Sequence, residues 1–471
     1  MALDVLHVDV MPDARTRRRF NGPGISYDKM AATVSNQKVA GRETRMRNWL
    51  LGGVALLAGA GCIGIGKPAM AQTAPSASPG SVTVRLNGRV NWYAGVEASS
   101  LDDDSATGEK TSTTNFLGYL RLYPGFDGVA ANGLHYGAAS EIRINGGENA
   151  SNESLYVFQA YGYFGLPKFG QISFGQQNGP TTVFETGTFE GFNDGGWNGD
   201  IEGMIPTAAN PLYPFPDTGG NDQATDKIVY LSPKLLGLQV AAAFTPNQTA
   251  ENYSDAPTSV TTPIIGGQPR NIVDIGGQYT KAFGPFGLQV EVDDRTGGQV
   301  AYNGPETTTT PDHYRNLNIL SGGVTVTIAG LTFGGSSYYG AYNLGDGDTL
   351  GLAPDGGSNA IAWMAGAQYT IGPLVVGGSF FRTTETGDLP GGIDTGSGAV
   401  ITPAGLTTGQ QQNDGVAAGA TYTLVPGVSM FVDYLYGLRQ QGGYDFETGN
   451  AGTANNYVQS QLFGVGTQIQ W

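Results

Sequence analysis

From Gln461 to Trp471 the side chains alternate in character with a period of two. Phe463, Val465, Thr467, Ile469 and Trp471 fall on one side, and Leu462, Gly464, Gly466, Gln468 and Gln470 on the other. A strand with one apolar face and one polar, small-residue face suits either the edge of a soluble sandwich or a wall between lipid and water. The pattern recurs at 82–93, where Val82, Val84, Leu86, Val90 and Trp92 oppose Thr83, Arg85, Asn87, Arg89, Asn91 and Tyr93. Alternating segments run over 82–96, 113–123, 133–145, 153–164, 170–177, 226–232, 237–246 and 271–280. They continue over 286–293, 316–328, 330–342, 359–371, 373–384, 413–424, 427–437 and 457–471. Each is about the length of a tilted membrane strand. Sixteen is an even number, as a closed barrel with both termini on one side requires.

The connections alternate between short and long. Short ones lie at 165–170, 232–237, 282–286, 329–330, 371–373 and 425–427, with a slightly longer one from Pro124 to Asn132. Gly and Pro there supply positive or fixed φ for tight reversals. Longer ones fall at 97–112, 146–152, 178–225, 247–270, 294–315, 343–358, 385–412 and 438–456. This rhythm predicts an all-β fold: a transmembrane antiparallel β-barrel of about 16 strands, with short periplasmic turns and long external loops. A ring that wide cannot be filled by its own side chains and leaves an aqueous channel. The charges then belong on the inner face and the apolar residues on the outer one.

Composition fits this reading. Gly is abundant, and no apolar run after Gln72 is long enough to cross a membrane as a helix. Met46-Arg47-Asn48, the apolar stretch to Gly66 and Ala69-Met70-Ala71 read as a secretory signal peptide over 46–71. Residues 1–45 carry Arg17-Arg18-Arg19, which an export signal does not need, and read as an N-terminal extension from a start called too early. Ten of the 24 basic and five of the 40 acidic residues precede Gln72, leaving 14 against 35, a net charge of −21. Nucleic acid is excluded as a partner for such a surface. The one cysteine, Cys62, leaves with the leader, so the mature chain forms no internal disulfide. Within the leader, Gly61 to Lys67 imitates a phosphate-binding loop, but Pro68 stands where Ser or Thr is needed.

Leu166-Pro167-Lys168-Phe169-Gly170-Gln171-Ile172-Ser173-Phe174-Gly175-Gln176-Gln177 is similar to the fifth strand and lead-in of the Gram-negative general porins, the trimeric sixteen-stranded type. A very long loop follows, then Lys227-Ile228-Val229-Tyr230-Leu231-Ser232-Pro233 and Leu236-Gly237-Leu238, which resemble that family's next two strands. Trp471 matches its aromatic terminus, where Phe is the commoner ending. The resemblance spans 72–471. It implies an outer-membrane location, homotrimers, insertion by the barrel-assembly machinery with Trp471 in the insertion signal, and passive diffusion of small hydrophilic solutes and ions. It also implies that the loop over 178–225 folds into the lumen as a constriction.

That loop holds Glu185, Glu190, Asp194, Asp200, Glu202, Asp217 and Asp222 and no Lys or Arg. Opposite it, Arg85, Arg89, Arg121 and Arg143 take the lumen-facing parity on the first three strands, because Leu120, Leu122, Ile142 and Ile144 take the outward one. An acidic loop facing a basic wall sets a transverse field across a narrow aperture. The competing reading is that the acids solvate a surface loop and the arginines pair locally, Arg143 with Glu141. Glu185, Glu190, Asp194, Asp200 and Glu202 outnumber the four arginines, which predicts a mild cation preference with Glu190 the most influential acid. Pro206 to Pro216, with Leu212, Tyr213 and Phe215, departs from the family pattern.

Asp102-Asp103-Asp104 and Asp346-Gly347-Asp348 are candidates for divalent ions bridging to lipopolysaccharide, against plain solvation. Tyr338-Tyr339, Phe380-Phe381, Tyr434 and Tyr436 fit aromatic girdles at the lipid interfaces. With only His135 and His313 in the mature chain, no catalytic triad is credible, no metal site has ligand spacing and no cofactor is expected. A sugar- or phosphate-selective porin, a barrel enzyme and an adhesive surface protein are the rival readings. Inward residues favour neither a sugar nor a phosphate plainly.

Overall fold

The computed structural model describes residues 79–101, 112–145, 154–189, 191–193, 195–215, 225–247, 269–298, 314–345, 349–353, 357–388, 393–394, 399–400 and 409–471. Sixteen strands close into one antiparallel barrel, each paired with its neighbours in sequence and the last with the first. They are β1 Val82–Ser99, β2 Thr114–Val129, β3 His135–Asn145, β4 Ser154–Leu166, β5 Gly170–Gln177 and β6 Thr225–Leu231. Next come β7 Leu238–Asn247, β8 Arg270–Phe283, β9 Phe286–Gly298, β10 Leu317–Ile328 and β11 Leu331–Ala341. The set ends with β12 Ala360–Ile371, β13 Leu374–Glu385, β14 Gln411–Val425, β15 Val428–Gln441 and β16 Tyr457–Gln470.

The period of two sets the two faces. On the outside, Val84, Leu86, Phe116, Leu155, Phe174, Ile228, Phe463 and Ile469 are all exposed in the single chain, a continuous apolar band that suits lipid. On β1 the inward set includes Asn91, Tyr93 and Glu97, all buried. The wall is therefore inverted relative to a soluble barrel. Tyr338 and Phe381 correct the girdle reading. Only one residue of an adjacent pair can face out, so Tyr339 and Phe380 do, while Tyr338 and Phe381 are buried inside.

The short turns fall where Gly and Pro are placed, with positive φ at Gly284, Gly330, Gly372 and Gly427. One boundary moves. The strand expected to stop before Pro124 runs on to Val129, and the reversal spans Ala130 to Leu134. Pro124 still pairs with Leu86 on β1, whereas the ladder toward β3 lapses at Tyr123 and Pro124. A residue without an N–H is tolerated where that ladder lapses.

Closure is made by the two ends. Trp471 N–H donates to Gly88 C=O at 3.0 Å and Gly88 N–H to Trp471 C=O at 3.2 Å, prolonging the β1–β16 ladder by one pair. The indole lies over the bare Cα of Gly88. A Cβ there would sit 2.5 Å from Cζ2 of the ring.

Candidate functional site

The connection between β5 and β6 lies inside the barrel. It opens with a short helix, α1, Pro180–Phe184, whose Pro at the first turn needs no N–H partner. Gly179 offers no capping side chain, and the wall supplies acceptors instead. Thr181 Oγ1 donates to Asp293 on β9 at 2.6 Å and to Asp274 on β8 at 3.3 Å, and Thr181 N–H also reaches Asp274. Carboxylates at a helix N-terminus stabilise it. Gln278 then donates to Phe184 C=O at 2.7 Å and Gln289 to Thr186 Oγ1 at 2.9 Å.

Beyond α1 the loop follows the inner wall round to β1 on a track of inward glycines. A Cβ at Gly366 on β12 would lie 2.7 Å from the Phe189 ring, and one at Gly377 on β13 2.7 Å from that of Phe192. Gly419 on β14 lies under Asn193, Gly437 on β15 under Pro211, Gly464 on β16 under Ile201, and Gly95 on β1 under Met204. Six consecutive strands of the closed ring thus each leave a bare Cα beneath a loop side chain. Thr421 Oγ1 donates to Phe192 C=O at 3.0 Å, Trp197 Nε1 to Val416 C=O at 3.1 Å, and Arg439 Nη1 to Thr207 C=O at 3.1 Å.

Residues Pro206 to Phe215, the described part of the segment Pro206 to Pro216, belong to this packing. Leu212, Tyr213 and Phe215 are buried against Tyr338, Met364 and Phe381 of the wall, with Tyr213 and Phe381 edge to face at 5.0 Å. The inner face of β11 to β16 is therefore covered by a buried, largely apolar cluster of loop and wall residues.

The basic wall stands on β1, β2 and β3. Arg89 is the cross-strand partner of Arg121, and Arg121 that of Arg143. Like charges directly opposite destabilise a sheet unless something compensates. Here Arg121 Nη2 donates to loop Asp200 at 2.7 Å, the pair 13% and 32% exposed. Tyr119 lies beneath both Arg121, at 4.4 Å, and Arg89, at 5.5 Å. Arg143 Nε donates to Glu141 at 2.7 Å, and Arg85 Nε pairs with Asp127 at 2.5 Å. Local pairing thus holds for Arg85 and Arg143, and contact with the acidic loop for Arg121.

Among the loop acids, Asp200 meets the basic row, Glu185 is buried beside the α1 anchor, and Glu202 lies in the 3-10 turn Ile201–Met204. Glu190, Asp194, Asp217 and Asp222 lie outside the described residues, as do Asp102 to Asp104 and Asp346 to Asp348. The wall acids Asp274, Glu291 and Asp293 were missed from sequence. Their parity was legible, since Ile275 and Val292 flank them on the outward face, but which wall residues the inward-folded loop would meet was not.

A closed sixteen-stranded barrel with an apolar outer band and an inward-folded loop defines a porin-class channel of the outer membrane. The signature of the family described as Gram-negative porin matches residues 54–466, and the chain belongs to that family. Among solved structures, the outer membrane channel DcaP of Acinetobacter baumannii is similar at 16% identity, over 84% of this chain and 99% of that one, with a TM-score of 0.50. Salmonella typhi OmpF in complex with daunomycin is similar at 14% identity, over 82% and 97%, with a TM-score of 0.50. The anion-selective porin from Comamonas acidovorans is similar at 13% identity, over 83% and 100%, with a TM-score of 0.49. At these identities the likeness to the first two is one of fold. No curated protein sequence matches the chain.

Proposed function

We propose that this channel passes small hydrophilic solutes and ions by passive diffusion, with a mild preference for cations, through an aperture between the 178–225 loop and the β1–β3 wall. The observation that carries the reading is the Arg121–Asp200 contact, which brings the acidic loop against the basic row. The sign of selectivity follows from charge. Asp274, Glu291, Asp293 and Asp433 face inward on β8, β9 and β15, against Arg295 and Arg439 on the last two. With the loop acids, this offsets the four arginines of β1 to β3. In planar bilayers under a salt gradient, Asp200→Asn should move the reversal potential toward anions and Arg121→Gln toward cations, both shifts shrinking as salt rises. Loss of any shift in both variants would place Asp200 and Arg121 outside the conducting path.

The chain is proposed to enter the export pathway through a signal at 46–71, to be inserted by the barrel-assembly machinery, and to sit among lipid and lipopolysaccharide as a homotrimer. A shallow depression of about 750 Å³ on the outer face of β1 to β5 supports the trimer. Its floor is Ala138, Ala160 and Gly162 and its rims are Val84, Phe126 and Phe174, so another barrel can approach closely there. Ala160→Trp should abolish the trimer band on unheated gels while leaving a heat-modifiable monomer. A persisting trimer band would move the contact elsewhere on the wall.

A further inference from the structure

Of the four wall arginines, Arg143 is held differently from the rest. Arg85 engages Asp127 with both Nε and Nη2, Arg121 gives Nη2 to Asp200, and Arg89 is engaged as well. Arg143 uses only Nε, donated to Glu141 at 2.7 Å. Its Nη1 and Nη2 make no hydrogen bond with any described residue, and its side chain is 18% exposed. One face of the guanidinium is covered by Phe158, with Cζ 3.3 Å from the ring centroid. The plane is thus fixed by an aromatic face and by an acceptor on Nε, and the outer two-nitrogen edge is left over.

Phe158 reaches that position through an irregularity in β4. Glu141 pairs with Gln159 and Ile142 with Val157, so Phe158 is an extra residue in the strand. Tyr156 and Tyr161, five positions apart, both pair with lumen-facing residues of β3, Arg143 and Ala139, a spacing that a regular strand cannot give. A bulge leaves carbonyls off the ladder, and on a lipid-facing wall those need partners. Gln176 of β5, on an outward position, is buried and donates through Nε2 to Phe158 C=O at 2.8 Å and to Val157 C=O at 3.3 Å. A glutamine on the outer face of a membrane strand is costly unless it is needed there. Bulges of this kind re-aim a side chain beside a functional site.

We infer that Arg143, aimed by the Phe158 bulge, is the group in the lumen that recognises carboxylate-bearing solutes. The inference rests on the channel reading above and names a solute class for it. Glu141 on Nε offsets the formal charge of Arg143, so net charge alone does not make this a general anion site. A planar pair of N–H donors remains, and it matches the two oxygens of a carboxylate in a way that spherical chloride cannot exploit. Phe158 is a positioning residue: it holds the plane of the guanidinium and need not touch the solute. A lysine at 143 would keep the charge and lose both the planar edge and the stack.

The test is the acetate-to-chloride permeability ratio of the full barrel in planar bilayers, from reversal potentials with potassium acetate on one side and potassium chloride on the other. Arg143→Lys should lower the ratio roughly threefold, the size of one solvent-screened, charge-assisted contact. Phe158→Leu should lower it comparably, and Phe158→Tyr should keep it near the wild-type value. A ratio unmoved by Arg143→Lys overturns the inference, as do Phe158→Leu and Phe158→Tyr behaving alike. A wild-type protein that conducts neither salt would instead bring down the channel reading itself.

Discussion

Replacing Trp471 with aspartate should remove most of the assembled barrel from the outer membrane and raise its degradation in the periplasm. The folded structure alone does not account for so large an effect. Trp471 sits one position beyond the end of β16, and an acidic side chain at such an interfacial depth costs only about 0–1 kcal/mol. Two roles are proposed for this residue, an insertion signal before closure and a cap after it. Before closure, the terminal strand presents Phe463, Val465, Ile469 and Trp471 as one apolar face. After closure the indole caps Gly88, and its backbone completes the β1–β16 ladder. Gly88→Val separates the two proposed roles, because it leaves the terminal residues unchanged and removes the seat of the indole. That variant should reach the membrane but lose heat resistance, read as a lower temperature for the gel-mobility shift. If Trp471→Asp assembles normally, the terminus is a structural cap and the signal lies elsewhere.

The parts legible in the sequence are those encoded by neighbours along the chain. Sixteen strands, the tight turns and the inward parity of Arg85, Arg89, Arg121 and Arg143 all follow from a period of two and from Gly and Pro between segments. Lateral information is absent from a single chain. Nothing local says that Gly366, Gly377, Gly419, Gly437, Gly464 and Gly95 stand under one loop, because that depends on the register of six strands. Nothing local sends Thr181 to Asp274 and Asp293, which follow it by about a hundred residues. The Phe158 bulge is hidden for the same reason, since only the pairing of β4 with β3 puts Tyr156 and Tyr161, five positions apart, on one face. The apolar residues Leu212, Tyr213 and Phe215 stand out in the sequence only as a departure from the family pattern. The structure buries all three against the wall.

Excising residues 187–214, with a short Gly/Ser linker from Thr186 to Phe215, should raise single-channel conductance by about twofold or more, since a sixteen-stranded ring is wide enough for an open aqueous channel once its inner covering is gone. The α1 anchor on Asp274 and Asp293 is kept in this variant, and so is every barrel strand. Charge selectivity should weaken with it, because Asp200 and Glu202 leave while the four arginines stay. The variant should also be less stable. Tyr338, Phe381, Phe431, Leu435 and Leu462 are buried behind the loop or against its packing, and each large apolar side chain returned to water costs about 1.5–3 kcal/mol. A milder variant probes the same packing without excision. Gly377→Val sets a branched side chain against Phe192, and overpacking of this kind costs about 1–3 kcal/mol. The two variants should both melt lower, but only the excision should widen the pore. Unchanged conductance after excision would mean that the loop is not what limits flow, and that the narrowest point lies among the external segments above it.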